Sequence, residues 1–280
     1  MADKINRQSV ALPTAVSADI LQKVQEQSAV MQLARSITLP GNGATIPIIT
    51  GDPDAQWVEE TGKKPVSNAG LDKKIMQAYK LAVIETFSME FRRDLSGLYD
   101  ALVARLPLAL AAKFDATVFG AATVPGENFD TFKSVTAQEI GTDAYAGLVA
   151  ADADIAAHGG ITNGFVIAPQ GKSVLLLAVD GNKRPLFINS VAEGAIPMIL
   201  GSKTLTSKGA YIAGTPNTVG IAGDWTQAMY GTVEGIQIAI SDQATVGKIN
   251  LWEQNMFAVR AEIEVGFRAD TAVFNRLTKA

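Results

Sequence analysis

The chain has no cysteine and a single histidine among its 280 residues. The first absence excludes disulfides and thiolate metal centres. The second excludes a histidine cluster for zinc and leaves little scope for histidine acid–base chemistry. His158 stands in Ala-Ala-His-Gly-Gly, where a plain role at a helix C-terminus accounts for it. Charge is scarce as well: 19% of residues, with a net charge of −4. Without a basic excess there is no stripe for reading nucleic acid. No run of eighteen apolar residues occurs, so no membrane-spanning helix is expected. The opening MADKINRQ lacks the apolar stretch of a signal peptide. The expectation is a soluble protein made in a cytoplasm.

What the chain has in excess is apolar character, 48% of residues. That is enough for a sizeable core and more than a lone soluble monomer needs. The surplus points to surface hidden in subunit contacts.

Along the chain, residues 1–16 are polar and irregular, and read as an extended arm. Ser17 is the expected cap of a helix that ends near Ala34. Residues 35–66 hold the short β-type runs SITLP, TIPII and QWVEET, broken by Gly-Asn-Gly and Gly-Lys-Lys-Pro. They read as a hairpin-like excursion with no support of its own. Residues 78–91 alternate as a strand with one buried face. Leu98, Leu102, Leu106, Leu110, Phe114 and Val118 then recur every four residues, which predicts a helix from Gly97 to Phe119, about 35 Å long. Ser96 or Asp94 is its expected cap. Pro107 falls mid-helix, where it removes a hydrogen bond and bends the axis. Residues 135–224 mix strands and helices, with Thr142 the expected cap of a helix ending at His158. From Phe257 to Phe267 strict alternation predicts an unusually long strand. A long helix along a long strand makes an elongated slab.

Several motifs invite chemistry. Gly171-Lys172-Ser173 follows a strand and opens a helix, the setting of a phosphate-binding loop. The required glycine five residues earlier is Val166, so an ordinary helix start is the better reading. Asp52, Asp54, Glu59 and Glu60 are close in sequence, but on an exposed hairpin nothing desolvates them. No metal set is evident, and the calcium-loop spacing is missing. Arg92 and Arg93 precede the long helix, where the dipole favours acids. A partner carboxylate from elsewhere would account for them.

The order of parts and several stretches resemble the tailed-phage major capsid protein family, with the Hong Kong 97-type fold. LPTAVSADILQKVQEQSAVMQLA resembles its arm and first helix. LYDALVARLPLALAAKFDATVFG, with Asp115 and Gly120, resembles its spine helix. GDWTQAMYGTVEGIQIAISDQA and NLWEQNMFAVRAEIEVGFRADTAVFNRL resemble its last segments. The resemblance implies an α+β fold in five parts: arm and first helix (1–43), extended β-hairpin loop (44–76), peripheral domain with the spine helix (77–134), inserted axial α/β domain (135–224), and a return to the peripheral domain through the long strand (225–280). It implies a structural protein rather than an enzyme, without cofactor or metal. Copies would form hexamers and pentamers of an icosahedral shell around double-stranded DNA, assembled in the host cytoplasm and found in the virion. Scaffolding, portal and decoration proteins are the other implied partners, with no membrane contact and no sequence-specific contact to DNA. The family often begins with a cleaved scaffolding segment; here scaffolding is a separate protein or lies outside this sequence. An encapsulin-like compartment is the alternative on the same fold, and a nucleotide-binding enzyme the remote one.

The implied subunit contacts fall on Trp57, Glu59, Glu60, Lys63 and Lys64 of the loop and on Arg92 and Arg93. Some family members join subunits by lysine–asparagine isopeptide bonds assisted by a glutamate. Asn255 and Glu262 match those positions, with Lys63, Lys64, Lys73 or Lys74 as amine; ordinary strand positions and salt bridges are the other reading.

Overall fold

A computed structural model describes residues 14–41, 44–49, 57–58, 60, 71–90, 95–187 and 198–280. The helices are α1 (Thr14–Gln27), α2 (Ala29–Leu33), α3 (Leu95–Phe119), α4 (Ala144–Ala157) and α5 (Pro169–Leu177). The strands are β1 (Arg35–Thr38), β2 (Ala44–Ile49), β3 (Leu71–Met76), β4 (Tyr79–Ser88), β5 (Thr136–Glu139), β6 (Gly164–Ile167), β7 (Met198–Ile199), β8 (Ser202–Thr206), β9 (Asn217–Gly223), β10 (Ala228–Thr232), β11 (Gln237–Ser241), β12 (Thr245–Val246), β13 (Ile249–Asn250), β14 (Met256–Ala269) and β15 (Phe274–Lys279).

The long strand β14 organises the first sheet. Along one side it pairs with β4 over residues 256–265. Along the other it takes β11 and then β10, which follow one another down the same edge. β1 adds to β10 in parallel. The predicted alternation holds: Phe257, Val259, Ala261, Ile263, Val265 and Phe267 are all buried. The opposite face departs from it at its C-terminal end, where Arg268 is also buried. The chain between β3 and β4 crosses there. A Cβ on Gly266 would lie 2.5 Å from the carbonyl oxygen of Gln77, so only glycine permits the crossing.

The run SITLP was read as part of the excursion. Its residues 36–38 instead join Arg35 in β1 of the main sheet, and Leu39 is buried with Met76. The hairpin is made by β2 and β3, which pair from Ala44–Met76 to Ile49–Leu71.

The second sheet runs β5–β15–β9–β6–β8–β7. The pair β6 and β8 is parallel, which demands a crossover, and α5 lies within it. The segment 225–280 is therefore shared. Its strands β10, β11 and β14 belong to the first sheet, while β15 fills the second sheet between β5 and β9.

Phe132 sits where the two sheets meet. Its ring centroid is 4.4 Å from that of Phe274 on β15, 5.6 Å from that of Phe267 on β14 and 5.7 Å from that of Trp225. The α3 stripe Leu102, Leu106, Leu110, Phe114 and Val118 is buried as its spacing predicts. It faces α1, β4 and the same aromatic cluster.

Two expected caps move, and at α3 one of the two alternatives drops out. α1 starts at Thr14, which leaves Ser17 inside it. α3 starts at Leu95, which leaves Ser96 inside it, while Asp94 lies outside the described residues. Asp143, not Thr142, caps α4 by accepting the Ala146 N–H at 3.0 Å. At α4 the dihedral break falls on Asp143, the neighbour of the residue chosen from sequence, and its backbone decides the cap. The single helix expected to Ala34 is also interrupted at Ser28.

Gly171 has a steric explanation. A Cβ there would fall on the carbonyl oxygen of Val219 in β9, so glycine lets α5 lie close on its sheet. Propensity alone favours Gly171→Ala by about 1 kcal/mol. The overlap with backbone outweighs it, and the variant is expected to lose about 1–3 kcal/mol in urea unfolding. Equal or higher stability would refute the close-packing role.

Candidate functional site

A polar cluster ties the hairpin strand β3 to the end of β14. Asp130, between α3 and β5, accepts Arg268 Nη1 at 2.8 Å, Lys74 Nζ at 3.2 Å and the Ala269 N–H at 3.1 Å. Arg268 also donates from Nε to Ile75 O and from Nη2 to Asn128 Oδ1, each at 2.8 Å. Lys74 reaches the Ala269 carbonyl at 2.8 Å. Two residues of β3 are thus tied to the end of β14 through largely buried charge-assisted bonds. Such bonds are stronger than exposed pairs. The guanidinium's fixed fork serves three acceptors at once.

A second polar centre holds the helices. Asp115 of α3 is buried, yet it receives four donors. Ser28 Oγ donates at 2.6 Å, the Ala29 and Val30 N–H groups at 3.0 and 3.4 Å, and Ser207 Oγ at 2.9 Å. The carboxylate thereby satisfies free N–H groups at the start of α2. Ser28 Oγ in turn accepts the Met31 N–H at 3.1 Å. Burial pushes the Asp115 carboxyl above its ordinary value of 3.8, and the four donors pull it only part of the way back.

The sequence-predicted residues separate under this geometry. Trp57 is fully exposed and Glu60 exposed. Glu59, Lys63, Lys64, Arg92, Arg93, Asp52 and Asp54 lie outside the described residues. Pro107 is inside α3 and buried, and the helix runs through it from Leu95 to Phe119. His158 ends α4, with Nδ1 2.8 Å from the Asp154 carbonyl oxygen. Ser173 donates to the Gln170 carbonyl at 2.6 Å within α5.

Asn255 adopts φ 53° just before β14, a left-handed turn conformation that asparagine tolerates well. Glu262 lies within β14 and is held by Arg260 at 2.8 Å. Lys74 is engaged at Asp130 within the subunit.

Asp130 and Arg268 were not singled out from sequence. Arg268 continues a polar face, and only the crossing chain reveals its burial. Asp115 had a visible signal: it is a lone acid in the apolar half of α3.

Residues 8–272 match the phage capsid family, and the chain belongs to that family. A probable major capsid protein of Mycobacterium phage D29 is 27% identical over 280 residues, which cover 91% of this chain and 85% of that protein. The major capsid protein of Staphylococcus phage 80alpha is 25% identical, over 93% of this chain and 82% of its own length. Among solved structures, one from Microbacterium phage Oxtober96 superposes with a TM-score of 0.72 at 21% identity, covering 91% of each chain. The capsid of a native GTA particle covers 100% of this chain and 96% of its own, with a TM-score of 0.66 at 15% identity. These last two likenesses establish the mixed α+β fold.

Two predictions follow from these centres. Because Asp115 binds its proton more readily folded than unfolded, native stability falls as pH rises from about the ordinary carboxyl value through the raised one. Asp115→Asn cannot titrate, and its amide must set a donor against the Ala29 N–H or the Val30 N–H. It is expected to cost about 1–3 kcal/mol, and its deficit relative to the parent should narrow as pH rises through that window. A deficit that widens in urea titrations at stepped pH would contradict the assignment. Separately, with Glu262 held by Arg260, particles heated in denaturant should run as monomer on a gel; a covalent ladder would support the isopeptide reading.

Proposed function

We propose that the chain is the major capsid protein of a tailed phage, copies of which join into hexamers and pentamers that close as an icosahedral shell around double-stranded DNA. Family membership across nearly the whole chain carries this reading. The exposed apolar side chains support it. Trp57, Ile161, Leu177, Met198 and Trp252 all stand open on the isolated subunit, as expected where neighbours cover them.

In this reading α3 and the first sheet form the peripheral domain, and the second sheet, completed by β15, forms the axial domain facing the capsomer centre. The loop within 44–76 reaches across a neighbouring subunit. Trp57 anchors it, Glu59 and Glu60 meet basic groups such as the neighbour's Arg92 and Arg93, and Lys63 and Lys64 meet acids. Exposed pairs contribute only about 0–1 kcal/mol each. A shell repeats them many times, and weak contacts let misplaced subunits leave. Pro107 bends α3 in the immature particle, and the bend relaxes as the shell expands. The acidic balance suits a container that must not grip its genome while it is packed. The protein is structural, without catalysis or cofactor. It assembles in the host cytoplasm, with scaffolding, portal and decoration proteins as partners.

Negative-stain electron microscopy of the expressed protein should reveal closed particles or capsomer rings; a monodisperse monomer would count against the reading. DNA inside particles purified from the native source separates a phage shell from a cellular compartment. Reversing both acids, Glu59→Lys with Glu60→Lys, should lower particle yield, and assembly at full yield would remove the loop charges from the interface. Particles of Pro107→Ala should expand incompletely, and normal expansion would remove the role given to the bend.

A further inference from the structure

A cavity of about 180 Å³ opens beside the C-terminal half of α3. Phe114 and Phe129 stand edge to face at 6.3 Å, and Tyr79 meets Phe129 in the same way. With Leu81 they form an apolar floor, and Lys80 and Lys113 complete the lining. Lys80 already holds Glu264 at 3.5 Å. Lys113, exposed on α3, has no acid within ion-pair distance among the described residues.

The same chain carries a side chain of matching chemistry. Trp57 is fully exposed, so it does not fill its own subunit's cavity. It is followed two and three residues later by Glu59 and Glu60. An apolar cavity of about 150 Å³ accepts a benzene-sized guest, so this one has room for much of an indole. Aromatic floors with a cation at the rim favour a flat ring followed by acids. Tryptophan in such a pocket is the residue type that dominates interface energies.

We infer that the cavity between α3 and β4 is the receptor for Trp57 of a second copy of this chain, with Glu60 of that copy meeting Lys113. The assignment rests on the loop-mediated association proposed above and specifies where the loop's anchor lands. It couples the loop of one subunit to the C-terminal part of its neighbour's long helix and to the edge strand of its first sheet.

The test places the photo-crosslinker p-benzoylphenylalanine at position 57. Particles are assembled from a mixture of this protein and isotope-labelled unmodified chain, and illuminated. Crosslinked peptides are then mapped by mass spectrometry. Mixed-label crosslinks from position 57 to peptides containing Tyr79–Leu81 or Lys113–Phe114 are expected. Intersubunit crosslinks elsewhere, crosslinks within one chain, or capture of a separate decoration protein would overturn the assignment while leaving the shell intact. If the altered protein does not assemble, acetylation footprinting of unmodified particles decides. Lys113 should be protected at least tenfold relative to dissociated subunits, and equal labelling would overturn the pocket. Failure of the unmodified chain to form particles would instead remove the shell reading on which the assignment stands.

Discussion

A carboxylate with no access to water holds the helical layer together. Asp115 collects Ser28, the two backbone N–H groups that follow it at the start of α2, and Ser207, so it joins α3 to two other parts of the chain. Taking a carboxylate out of water is costly, and the raised proton affinity of this group records that cost. The cost is tolerable because each oxygen has two donors and the alternative leaves those donors buried and unpaired. The constraint is directional, unlike the apolar packing around it. It sets where α1 breaks, at Ser28, and how the Ser207 turn is seated against α3.

The Asp130–Arg268–Lys74 group performs the related task for the hairpin. A two-stranded ribbon is marginal alone. Here its stem is bonded to the end of β14, and Trp57, between the two strands, is exposed. A stem fixed by these bonds suits a shell subunit, since its ordering cost falls on folding and not on assembly. The excess of apolar residues has the same explanation. Much of it is buried in the subunit, and part of it stands ready for neighbours.

Most of the element types were legible because their periodicities are long. Six apolar residues at a spacing of four mark α3, and an alternating run marks β14, where the predicted inward face is buried throughout. The hairpin partners were less legible. SITLP has the composition of a strand, but nothing in it specifies pairing with β10, which lies some two hundred residues away. The α4 cap also shifted by one residue, from Thr142 to Asp143, because both side chains can cap a helix start. The backbone turn selects among them. The resemblance carried the family reading, while the charged loop residues it implied remain proposals.

Sequence by itself therefore determined the strand and helix periods, the absence of cysteine chemistry, and the surplus of apolar residues, since these depend on residue identity and local spacing. Only the tertiary structure decided that the last strand completes the second sheet. It also decided that Arg268 is a buried clamp rather than a solvated cation. Gly171 serves close packing, and the cavity beside α3 has an aromatic floor. Each of these depends on segments far apart in the chain arriving within a few ångströms, and no local pattern encodes such a meeting.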